Sequence, residues 1–132
     1  MIKEAYCSFE LAKLLKEKGF NEKCRGGYHY EFDDNDNIIV MFEEWMAQPY
    51  NNDVVDEGFL CSAPTHQMAI AWLRTKHIII VVQPENFNAE GICSYWGVDI
   101  WADDNYEKLQ GDFPSYEEAT EAALKYVLEN LI

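Results

Sequence analysis

Cysteine and histidine recur twice at one spacing, as Cys24 with His29 and Cys61 with His66. Two cysteines and two histidines can close a tetrahedral zinc site. The pattern departs from finger spacings, in which the paired cysteines stand closer, and His29 lies in a stretch that reads as strand. The favoured reading is therefore buried cysteines and surface histidines, with no metal and no cofactor; a metal-binding protein or metal-dependent enzyme built on these four residues is the alternative. Asp33, Asn35, Asn37 and Glu44 stand at positions 1, 3, 5 and 12 of a calcium-loop pattern. Ile38 occupies the place where that loop turns on glycine, so a solvated hairpin turn is the better account.

Nucleophilic chemistry would need Cys61 or Cys93 activated by His66 or His77, and no local pattern joins them. Gly26 and Gly27 lead into a strand and lack the lysine and hydroxyl residue of a phosphate loop. Tyr28, Tyr30, Trp96 and Trp101 could stack on bases, but no lysine or arginine surrounds them. A catalytic carboxylate pair cannot be picked from 24 acidic residues without distances. An enzyme is the less favoured class.

Those 24 acidic residues against 10 basic ones give a formal net charge of -14, which opposes binding to nucleic-acid backbones and anionic membranes; solubility is the favoured account of the charge, and a basic partner or a cation is the alternative. Residues 1–132 suit a single globular domain with one core. Lys3, Glu4, Glu10 and Lys13 break the apolar run a signal peptide needs, so the expected location is cytoplasmic. Cys7, Cys24, Cys61 and Cys93 lie far apart and read as small hydrophobes rather than a disulfide framework.

The elements that must position these residues follow from punctuation and period. Ser8 caps a first helix whose apolar face is Leu11, Ala12, Leu14 and Leu15, and Gly19 stops it before Phe20. Tyr28 to Phe32 and Ile38 to Phe42 read as a hairpin around the turn formers 33–37. Residues 43–61 have no period and read as a long connection ending on a short strand at Phe59 to Cys61. Thr65 caps a second helix carrying Met68, Ala69, Trp72 and Leu73, with Arg74, Lys76 and His77 in its last turn. Ile78 to Val82 is a strand closed by Pro84, Ser94 to Trp101 pairs with it, and Ser115 with Glu118 opens the last helix as a capping box.

The expected fold is α+β, in the order α-β-β-α-β-β-α, an antiparallel sheet of about four strands with three helices mainly on one face. Both strands Ile38 to Phe42 and Ile78 to Val82 are apolar at odd and even positions alike, so Ile39, Met41, Ile79 and Val81 must face something other than those helices. The 43–61 connection with Trp45 is the preferred cover and a homodimer the next. Ser8 to Phe20, Ala63 to Val82 and Ser115 to Ile132 resemble an uncharacterised group of small proteins from gut bacteria and their phages and mobile elements. That resemblance implies a protein that binds and neutralises another protein, and it transfers no site residues. The expected function is a small acidic interaction module that uses Ile39, Met41, Trp96 and Trp101 for apolar contact and Asp33, Asp34, Asp36, Asp103 and Asp104 for charge.

Overall fold

Ser8 does cap the first helix: its hydroxyl accepts from the Leu11 N–H at 3.3 Å, and α1 (Phe9–Glu17) follows in a computed structural model that describes residues 3–45, 50–52 and 58–132. Gly19, at φ +96°, then supplies the left-handed residue that returns the Phe20 N–H to the Leu15 carbonyl at 2.9 Å. Among the described residues the protein is mixed α+β, with three helices and two three-stranded antiparallel sheets. These fall in two compact units, residues 1–67 and 68–132, and each is described by itself.

In the first unit β1 (Gly26–Phe32) pairs on one side with β2 (Ile38–Glu44) and on the other with β3 (Phe59–Ala63), giving the order β2-β1-β3. Helix α1 packs on β3, where Ala12, Cys61 and Ala63 form a buried cluster with Phe9, Tyr28 and Leu60 against it. The Tyr28 hydroxyl donates to the Cys7 carbonyl at 2.7 Å and fastens the sheet to the segment before α1. The Asp33–Asn37 turn closes β1 on β2 with Asp36 at φ +60°, a conformation aspartate tolerates better than most residues.

The division between the units falls in the first turn of α2 (His66–Arg74). In the second unit β4 (Ile78–Phe87), β5 (Cys93–Ala102) and β6 (Asn105–Phe113) form a meander, and α3 (Tyr116–Asn130) packs on all three. Ser115 caps α3, accepting from the Glu118 N–H at 3.1 Å. Ile78, Ile80, Val98 and Ile100 are buried together with Ala119, Ala123, Leu124, Val127 and Leu128 of α3.

Four expectations need correction. The strands make two sheets of three and not one of about four; the short strand expected at Phe59 to Cys61 forms as β3 and joins the first hairpin, while the second hairpin gains a strand that was not expected, β6, so the order is α-β-β-β-α-β-β-β-α. Strand β6 is polar along most of its length, an edge strand without the alternation that marks a half-buried one. Pro84 does not close β4; it sits inside it opposite Trp96, tolerable because β4 is an edge strand on which a missing N–H need cost no ladder bond. Helix α2 stops at Arg74, since His77 takes φ +63° and the Thr75, Lys76 and His77 amides bond three residues back. No helix among the described residues is long and apolar enough to cross a membrane.

Candidate protein-contact site

Strand β2 is exposed along its whole length, although five of its seven residues are apolar. Its register on β1 explains how. The Asp33 N–H bonds the Asn37 carbonyl at 2.9 Å and the Trp45 N–H bonds the Arg25 carbonyl at 2.6 Å, one at each end of the ladder. Bonded pairs alternate between these ends, so Ile39, Met41 and Glu43 exchange backbone bonds with Glu31, His29 and Gly27. The backbone groups of Ile38, Val40 and Phe42 therefore point away from β1, and among the described residues no strand meets them.

The side chains divide in the same alternation. Ile38, Val40 and Phe42 share a face with Tyr28, Tyr30 and Phe32, and Phe42 touches the rings of Tyr6 and Tyr28 at centroid distances of 4.9 and 5.6 Å. Ile39, Met41 and Glu43 share the other with Gly27, His29 and Glu31. Trp45 covers part of that second face, against His29 at 6.3 Å and Phe59 at 5.7 Å. Gly27 is glycine because of it: a Cβ there would stand 1.8 Å from the Trp45 ring. The expected cover thus lies beside β1, while Ile39 and Met41 keep 42% and 41% of their surface exposed. Residues 46–49 and 53–57 of the same connection lie outside the described residues.

Charge frames the strand. From Gly26 to Trp45 the carboxylates are Glu31, Asp33, Asp34, Asp36, Glu43 and Glu44, with no lysine or arginine among them. Asp33 spends its charge inside the turn, accepting the Asn35 N–H at 2.8 Å and the Asn37 N–H at 2.9 Å. Those bonds, the Asn37 one first, hold its carboxyl below the usual carboxylate range. A depressed folded value stabilises the turn above the ordinary carboxylate pKa, and the stabilisation is lost as pH falls through the folded value. Urea unfolding should therefore show wild type ahead of Asp33→Asn at neutral pH and the gap closing on acidification; a gap that ignores pH would contradict this role.

The other expected contact residues are divided. Trp96 packs edge-on against Tyr116 at 5.5 Å, at the start of α3, whereas Trp101 lies on the opposite face of β5 beside Tyr106 at 5.0 Å, with Ile79 as its cross-strand partner. Ile79, Val81, Trp101 and Tyr106 stand exposed there. At their centre is Asp99, only 7% exposed, its two oxygens taken by the Tyr106 hydroxyl at 2.6 Å and the Gln83 amide at 2.5 Å. The Tyr106 hydroxyl pKa is raised, first by that bond. Asp103, at φ +55°, and Asp104 form the two-residue turn between β5 and β6.

The cysteine–histidine set does not assemble. Among the described residues no three of Cys24, His29, Cys61 and His66 bring ligand atoms within 4.8 Å of one another, and Cys7, outside that set, does lie that close to His66. Tyr28 is the residue paired with Cys61, so His29, the next along β1, points to the opposite face, between Glu31 at 3.1 Å and Glu43 at 3.4 Å. Burial pushes the Cys24 thiol up to about 12 and the Cys61 thiol up to about 11, away from the thiolate that nucleophilic attack requires. Glu44 stands opposite Gly26, at the far end of β2 from the Asp33–Asn37 turn, so the calcium-loop pattern does not close. Cys93 is the one cysteine not buried. Iodoacetamide should label it well ahead of Cys7, Cys24 and Cys61 in the folded protein, and equal rates by mass spectrometry would contradict this burial order.

A groove of about 450 Å³ lies between α1 and β3, lined by Phe9, Lys13, Lys16, Glu17, Leu60 and Cys61. Lys16 already donates to the Leu60 carbonyl at 2.6 Å and sits over the Phe59 ring. Sequence reasoning found Ile39 and Met41 but missed Ile38, Val40 and Phe42, the residues whose backbone is open. The signal was present in the unbroken apolar run between two acidic stretches, but which strand lies at an edge is a matter of topology. No family model, curated protein or solved structure matches the chain.

Proposed function

We propose that the protein is a non-enzymatic interaction module that binds another protein through β2 and the acidic ends of its hairpin. The supporting observation is β2 itself: Ile38 is 66% exposed and the next four residues about two-fifths, in a strand whose outer edge is met by no other strand among the described residues. An apolar edge strand left bare invites uncontrolled pairing, and proteins that keep one usually use it. Carboxylates at both ends give solubility while the surface is free and draw a basic partner to it. The resemblance of the helix phrases to small proteins of phages and mobile elements agrees with a role in binding and neutralising another protein. The alternative of a metal-dependent enzyme on Cys24, His29, Cys61 and His66 is less supported, because among the described residues no three of these bring their ligand atoms together.

Photo-cross-linking tests the reading. A benzoylphenylalanine at Met41 should capture one discrete protein from an extract of the cell that carries the gene, and the same group at Lys108 on β6 should not. Identical patterns at both positions, or none at Met41, would contradict it.

A further inference from the structure

We infer that β2 receives an extended partner segment as an added antiparallel or parallel strand, and that this segment is apolar in its middle and carries lysine or arginine at both ends. The inference rests on the contact-surface reading above and adds the mode of binding and the chemistry of the partner. Ile38, Val40 and Phe42 offer outward backbone groups in the alternation that an incoming strand needs, and the side chains on both faces offer it apolar neighbours.

The charge pattern decides between a foreign strand and a second copy. The longest antiparallel self-pairing about Val40 sets Ile38 against Phe42, Asn37 against Glu43 and Asp36 against Glu44. In-register parallel self-pairing sets Asp36, Glu43 and Glu44 each against itself. Both arrangements place like charges directly opposite one another, which destabilises a strand pair. A segment with cationic ends turns every one of those contacts favourable, and an acidic or neutral one does not.

The probe is a labelled peptide, Lys-Lys-Thr-Val-Thr-Val-Thr-Lys-Lys, titrated against the full chain and compared with its glutamate-ended counterpart. The lysine-ended peptide should bind about tenfold more tightly at low salt, with the difference shrinking as salt rises. Val40→Pro should abolish binding while leaving the far-UV spectrum unchanged, because the Val40 N–H makes no bond to β1. A peptide N-methylated at every second residue deletes the same ladder from the ligand's side and should also fail, independently of how the variant folds. Equal affinity for the two peptides, undiminished binding of the methylated one, or a native-mass-spectrometry dimer broken by Val40→Pro would overturn the inference. If such a result accompanies a discrete Met41 cross-link, strand addition falls and the contact surface stands; loss of that cross-link removes both.

Discussion

Asn51→Ala should lower stability by about 3 kcal/mol, since it strands two buried backbone groups at once. Asn51 is 4% exposed; its amide donates to the Phe20 carbonyl at 2.7 Å and its side-chain oxygen accepts the Ser62 N–H at 2.7 Å. One side chain thereby ties the exit of α1 to β3, and Phe20 and Ser62 are themselves buried. Water cannot readily replace either bond. Asn51→Asp keeps an acceptor for Ser62 but turns a carboxylate oxygen toward the Phe20 carbonyl, so it should cost as much at neutral pH. Urea denaturation checks both, and a loss within about 0.5 kcal/mol for Asn51→Ala, the range of ordinary surface substitutions, would contradict the latch.

Leu124→Ala should cost about 2–5 kcal/mol, the range for removing a buried leucine and leaving a cavity behind. Leu124 is fully buried on α3, and Val98, Ile100 and Val127 in the same unit are buried as completely, so a void there has rigid walls. Met41→Ala removes as many side-chain heavy atoms from a residue 41% exposed, and it should cost far less. Thermal unfolding compares the two. Similar losses would mean that β2 is core and not contact surface.

Local signals were legible in the sequence where a single residue acts on its own neighbourhood. Ser8 and Ser115 cap helices as their spacing predicts, Gly19 ends α1, and the 33–37 turn closes a hairpin. What failed was long-range. The sequence shows that Ile78 to Val82 is apolar at both parities, but only pairing shows that Ile78 and Ile80 face the core while Ile79 and Val81 face outward beside Trp101. Trp96 and Trp101 look equivalent as aromatic residues of one strand, yet their odd separation puts them on opposite faces. Pro84 reads as a terminator because a central strand would forbid it, and an edge strand does not. Asn51 looks like one more polar loop residue until both of its partners are seen. The equal Cys-x4-His spacings mislead because chain distance ignores the pleat: neighbours on β1 point to opposite faces.

The open edge of β2 is tested most directly by residue-resolved amide hydrogen exchange with and without the lysine-ended peptide. In the free protein Ile39, Met41 and Glu43 should exchange slowly and Ile38, Val40 and Phe42 fast, because only the first set is bonded to β1. With peptide bound, the fast set should become slow while the slow set scarcely changes. Protection that appears elsewhere in the chain, or that spares Ile38, Val40 and Phe42 when the peptide is bound, would contradict the account.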